Sequence, residues 1–198
     1  MVKDKDTKQL ILDTAATLFY TQSYTAVGVA TICKEAGVSK GSFFHFFSSK
    51  QDLAVEVLDQ FSHHLGEVLV SKSIAGNLPP MERLDSFINM LYEMQKGFVS
   101  DTGHLPGCPF GNMAMEQATQ DEVIRKKVEA CLSELAQPFR RVVADAIKSG
   151  DIPAVDEEAT ADAMLSYIEG IQLIAKSRND AEVIRKLGPA IKSIRVEI

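Results

Sequence analysis

The three residues Gly37-Val38-Ser39, set between two short apolar stretches, constrain this chain more than any other feature. A residue without Cβ takes the left-handed conformation that closes a helix at little cost, so Gly37 reads as the end of one helix. Ser39 stands where a side-chain oxygen can accept from an open backbone N–H and begin the next. A turn of this length between two short helices is the geometry of a helix-turn-helix. The first helix of the pair is expected from about Val27 to Ala36, with Val29, Ile32 and Cys33 facing inward. In the second, Phe43 and Phe47 are four residues apart and belong to a core, with Phe46 partly so. An earlier helix, Thr7 to Thr21, carries Ile11, Ala15 and Leu18 on one face with Phe19 beside them, and this face suits the back of the pair.

Directly after the cap come Lys40, Gly41 and Ser42: a cation, a residue without bulk and a small hydroxyl. A helix that meets DNA end-on in the major groove presents its first turn to base edges and phosphates. Phe44 adds an apolar ring able to touch a thymine methyl. Lys50 lies in the first turn of the following helix, where a cation opposes the helix dipole; this points to a use outside its own helix, such as phosphate. Ser49 and Asp52 around it form a short variant of a capping box. The net charge of −6 looks wrong for a DNA binder until it is divided. Residues 1–51 hold six lysines against four acids, a net +2, and the remaining 15 basic and 23 acidic groups leave −8 on residues 52–198. A basic head on an acidic body suits a protein that touches phosphate with one end, although charge also fluctuates along ordinary chains.

The run Ala36-Gly37-Val38-Ser39-Lys40-Gly41-Ser42-Phe43-Phe44-His45-Phe46-Phe47, with Tyr24 to Glu35 before it and Ser48-Ser49-Lys50-Gln51-Asp52-Leu53 after it, resembles the TetR family of transcriptional repressors. The match is dense from about Leu10 to Leu58. The resemblance implies an all-α fold of about nine helices. An N-terminal three-helix helix-turn-helix domain, residues 1–51, would precede a C-terminal helical ligand-binding and dimerisation domain, residues 52–198. It also implies a DNA-binding set of Lys40, Gly41, Ser42, Phe44, His45 and Lys50. In the family pattern His45 approaches the DNA backbone, and its place on this helix next to Phe44 favours that role over a solvated or core histidine. The chain departs from the pattern at Val27 and Gly28, where a Thr-Ser pair is usual, and at Phe44, where Tyr is usual. The lost hydroxyls leave a second reading open, a helical dimer that carries ligand and no longer binds DNA.

Beyond Leu58 the periodicity predicts further helices: one from Ser49 to about Ser71, then Pro80–Val99, Pro109–Ala118, Asp121–Ser149, one capped by Asp156 and running to about Ser177, and Asp180–Ile194. The chain loosens between the first two of these, through Gly76 and Asn77. The family resemblance puts an effector pocket in the middle of this region, and Phe87, Met90, Met94, Phe98, Cys108, Phe110 and Met113 are its candidate lining. Taken singly, most buried Met and Phe are plain core; as a group, flexible thioethers suit a cavity that adapts to apolar ligands. Cys108 precedes Pro109, at or near a helix N-cap. Open N–H groups there can favour a reactive thiolate, as in regulators of this type that sense electrophiles, or the residue is simply a small buried one. The helix after Asp156 has one narrow polar stripe, Asp162, Ser166, Glu169 and Lys176, and is otherwise apolar. Such a helix is buried on more than one side. Either it is the central helix of a monomer or, with the last helix, it meets its own copy across a two-fold axis through Leu165, Ile168, Ile171, Ile184, Leu187 and Ile191.

Several function classes are excluded by what is missing. There is no glycine-rich phosphate loop, no His pair at metal-ligating helical spacing (His63 and His64 are neighbours) and no nucleophile in a known catalytic setting, so an enzyme, a metal site and a cofactor are not expected. No apolar run has the length of a membrane span, and three cysteines without framework spacing suit a reducing compartment, hence a cytoplasmic protein. The expected partners are double-stranded operator DNA, a small-molecule effector and a second copy of the chain, in a regulator released from a palindromic operator by a small apolar or electrophilic effector.

Overall fold

The computed structural model describes residues 2–74 and 77–198; Gly76, expected in the loosened stretch, lies outside them. Among the described residues there are nine α-helices and no strand. They are α1 (Val2–Thr21), α2 (Val29–Glu35), α3 (Lys40–Phe46), α4 (Lys50–Leu65), α5 (Pro80–Thr102), α6 (Pro109–Gln117), α7 (Glu122–Ser149), α8 (Glu157–Arg178) and α9 (Glu182–Leu187). The chain divides into two compact units, residues 1–62 with 109–131 and residues 63–108 with 132–198.

In the first unit the expected face of α1 is the core. Ile11 and Ala15 are fully buried and Leu18 and Phe19 nearly so, together with Ile32 and Cys33 of α2 and with Phe43 and Phe47 around α3. The two signals that define the turn act as the residue types require. Gly37 adopts φ +65°, and Ser39 Oγ accepts from the Ser42 N–H at 3.0 Å. α4 begins with Ser49 Oγ accepting from the Asp52 N–H at 3.0 Å. The Asp52 carboxylate reaches one residue further back than a standard capping box, to the Ser48 N–H at 3.1 Å. α7 begins on Asp121, whose Oδ1 accepts from the Val123 and Ile124 N–H groups at 2.9 and 3.0 Å.

The second unit departs from the periodic expectation in three places. The helix expected to continue to Ser71 changes at Gly66 into a π-helical segment, Gly66–Ile74. Glycine is a weak helix former, and Ser71 and Ser73 turn their hydroxyls onto the carbonyls of Glu67 and Leu69, competing with the regular ladder. α5 extends to Thr102, and Gly103 at φ +79° closes it through its N–H to Val99 O at 2.9 Å. The last helix stops at Leu187 and tightens into a 3₁₀ segment, Gly188–Ser193, because Pro189 has no N–H to continue the α ladder. A Cβ on Gly188 would lie 2.4 Å from Cγ2 of Ile88, so the absence of a side chain is what lets the segment seat against α5. α7 runs through Pro138. α8 is capped by Asp156, whose carboxylate accepts from the Ala159 N–H at 2.9 Å, and closes at Asn179 in the left-handed region.

Candidate nucleic-acid interface

α3 buries Phe43 toward α1 and α2, and this sets what its opposite side displays. Lys40, Gly41, Phe44 and His45 are exposed, and Ser42 and Phe46 are half-buried. Phe44 stands out at 55 % exposure, a large apolar ring held edge-on against Phe43 with centroids 5.2 Å apart. His45 leans edge-on against Phe46 at 4.7 Å. Ser42 has a divided role: its N–H is part of the cap, and its hydroxyl lies 2.9 Å from Ser39 Oγ. Five of the six residues expected to meet DNA thus share the outer side of one helix or its first turn.

The sixth, Lys50, is engaged within its own unit. Its ammonium donates to the carbonyls of Tyr24 at 3.0 Å and Val27 at 3.1 Å, and sits 4.1 Å from the Tyr24 ring centroid. Burial pushes its pKa down, offset in part by the charge of Glu116. A cation at a helix N-terminus is out of place for its own helix, and these contacts give it a use inside the protein. The structure supplies the reason within the protein: Lys50 holds the turn that delivers the chain into α2.

The same turn accounts for the two missing hydroxyls. Val27 is fully buried, so its position is a core position where an apolar side chain packs. Gly28 is the N-cap of α2 and makes no side-chain capping bond. In place of a local cap, the turn is tied from outside. Glu116 Oε2 accepts from the Thr25 N–H at 2.9 Å, and Gln117 Nε2 donates to Thr25 Oγ1 at 3.1 Å. α6 and the start of α7 belong to this unit, and Gln51 Nε2 donates to Asp121 Oδ2 at 2.6 Å while Lys127 pairs with Asp59. Sequence reasoning missed Glu116, Gln117 and Gln51 altogether; no local pattern marks a residue whose partner is some 70 to 90 positions away.

The residues expected to line an effector pocket are placed variously. Phe110 and Met113 belong to the first unit, where Met113 joins Phe19, Tyr24, Leu58 and Phe61 around a space of about 10 Å³, enough for about one water molecule. In the second unit Phe87 is buried edge-on against Phe139 at 5.1 Å, and Met94 and Phe98 are half-buried. Met90 borders an open groove of about 460 Å³ with Leu78, Glu82, Asp85, Ser86, Asn89 and Glu93. Cys108 is buried and shares a hydrogen bond with the carboxyl of Glu169, whose pKa is raised by burial and brought back in part by that bond. Beside it Gln95 Nε2 donates to Gly107 O at 3.1 Å and to Gln172 Oε1 at 3.3 Å. Glu169, one of the four residues of the polar stripe of α8, is half-buried. Among the described residues the three cysteines remain thiols, and no cluster of His, Cys, Asp and Glu could hold a metal ion.

The expected dimer residues need a correction. Ile168, Ile171, Ile184 and Ile191 are buried inside their own chain and have no surface to offer a partner. Leu165 is half-buried and Leu187 is 43 % exposed. The outward apolar side of α8 is instead Leu173 and Ile174, at 50 % and 39 % exposure, next to the bare backbone of Gly170.

Comparison with known proteins agrees with this arrangement. Residues 11–57 match the family model described as bacterial regulatory proteins, tetR family, and residues 80–191 match the tetracyclin repressor-like C-terminal domain. An HTH-type transcriptional regulator in the lacX 3' region of Lactococcus lactis subsp. lactis is 25% identical over 91% of this chain and 88% of its own. The HTH-type transcriptional repressor DhaR of Mycobacterium sp. (strain GP1) is 24% identical over 88% of this chain and 85% of its own. The crystal structure of regulatory protein TetR from Rhodobacter sphaeroides superposes with a TM-score of 0.83 and 25% identity, covering 95% of this chain and 98% of that one.

Proposed function

We propose, from the premise that this chain belongs to the tetR family of bacterial regulatory proteins, that it is a ligand-responsive repressor which binds a palindromic operator as a homodimer. Family membership makes it a DNA-binding transcriptional regulator rather than an enzyme. The observation that carries the rest is the outer side of α3: a capped helix whose first turn exposes Lys40 and Gly41 while Phe43 anchors it from behind. Lys40 addresses base edges or phosphate, Phe44 and His45 lie against the groove, and Lys50 acts indirectly by fixing the turn before α2. Residues 1–51 serve as the DNA-binding domain and residues 52–198 as the effector and dimerisation domain.

Leu173 and Ile174 of α8 and Leu187 at the end of α9 are large apolar residues left exposed, and they support a two-fold interface. The effector is a small, largely apolar molecule held within the second unit near Phe87, Met90, Met94, Phe98 and Cys108, and Cys108 allows an electrophile among its ligands. Binding favours the conformer whose two recognition helices are wrongly spaced for the operator. Among the described residues no helix is long and apolar enough to cross a membrane, and the regulator works in the cytoplasm, where its operator is. The experiment is binding to DNA upstream of the protein's own gene at several salt concentrations, with Lys40→Ala in parallel. Tight binding that falls steeply with salt and is lost in the variant is the expected result. Equal binding by the variant, or no sequence preference among fragments of the genome, would overturn the reading.

A further inference from the structure

Among the exposed residues of α3, Lys40, Gly41, Phe44 and His45, Phe44 is the one whose side chain can neither donate nor accept a hydrogen bond, Gly41 having none to offer. It is also costly to leave there, since a residue with so large an apolar side chain is 55 % exposed. The ring meets Phe43 edge-on at 5.2 Å and 80°, and Phe43 is fully buried, so one edge of Phe44 rests on the core while the rest is open. The ground beside it is open: a Cβ built on Gly41 would meet nothing nearer than Ser39 Oγ at 3.6 Å. A base-pair edge can therefore come close to the backbone at Gly41 and to the ring three residues on. Base pairs show the major groove several donors and acceptors but a single apolar group, the C5-methyl of thymine.

We propose that Phe44 reads a thymine methyl in each operator half-site and is the sequence-selective apolar contact of this head, an inference that rests on the operator-binding reading above. Lys40, one turn earlier on the same side, supplies charge, and Phe44 supplies selectivity. Burying one methyl against the ring is worth about a fourfold change in affinity per half-site, and about fifteenfold when both half-sites are changed.

The test begins with selection of bound sequences from randomised duplex DNA. Each thymine of the selected site is then replaced singly by uracil, which differs only in lacking the methyl, and the duplexes are titrated with the wild-type protein, Phe44→Ala and Phe44→Leu. One thymine per half-site should show the fourfold loss with the wild-type protein. That loss should vanish in Phe44→Ala and persist in Phe44→Leu. At the same position 5-methylcytosine should bind more tightly than cytosine. Because the uracil series on the wild-type protein needs no variant to fold, the result does not depend on the substitutions. Uracil tolerated everywhere within twofold, or an undiminished uracil penalty in Phe44→Ala, overturns the assignment of Phe44 alone. Failure to select any sequence overturns the operator-binding reading and this inference with it.

Discussion

Replacing Lys50 by Met keeps most of the apolar stem and removes the ammonium. Two carbonyls, of Tyr24 and Val27, lose their donor, and the Tyr24 ring loses its cation. A hydrogen bond from a charged donor contributes about 1.5–3 kcal/mol when buried, and an exposed cation–π contact about 0.5–1 kcal/mol. The ammonium is only part-buried and water can replace it at the carbonyls, so the combined loss is about 2 kcal/mol rather than the sum. Urea denaturation should show this as a lower midpoint with an unchanged slope. DNA affinity should fall as well, because the turn before α2 is held less firmly. The dependence on salt is the discriminating quantity. A lysine that touches phosphate contributes about 0.9 to the slope of log affinity against log salt concentration, whereas a lysine that only braces the turn contributes nothing. Lys50→Met should therefore leave the slope unchanged, while Lys40→Ala lowers it. A slope reduced by about 0.9 in Lys50→Met, with stability intact, would refute the bracing role and restore the phosphate contact.

Three further outcomes follow from the geometry. Gly188→Ala would place a methyl 2.4 Å from Ile88 Cγ2 and should destabilise the protein by about 1–3 kcal/mol, read from thermal melts; an unchanged melting temperature would mean that α5 yields freely there. Burial raises the folded-state pKa of Glu169, so the folded protein holds that proton more tightly than the unfolded chain does. The associated stability is complete below the ordinary value of 4.5 and is lost as pH rises through the folded value. Glu169→Gln should accordingly raise the melting temperature at pH 8 and leave it unchanged near pH 4, and an effect of equal size at both would show that charge burial is not its origin. Leu173→Glu combined with Ile174→Glu should convert a dimer to a monomer in sedimentation with helicity unchanged, whereas an unaltered dimer would place the interface elsewhere.

The parts of this protein that sequence alone determined are those in which a residue acts on its immediate neighbours. Gly37 closes α2, Ser39 caps α3, Asp156 caps α8, and the spacing of Ile11, Ala15 and Leu18 marks one buried face; each depends on residues within a turn or two of the chain. The same locality made the helix-turn-helix and its outer residues legible. Tertiary structure alone decided where a side chain spends its interactions when several are open to it. Lys50 could serve phosphate or a carbonyl, and only the fold shows that its ammonium reaches the carbonyls of Tyr24 and Val27, 26 and 23 residues earlier. Val27 and Gly28 looked like missing contacts until the turn was seen to be tied by Thr25 to α6. In α8 the period showed an almost wholly apolar helix but could not tell which side meets its own core. Ile168 and Ile171 face inward and Leu173 and Ile174 outward, because a 3.6-residue repeat groups residues on a face without saying what that face will meet.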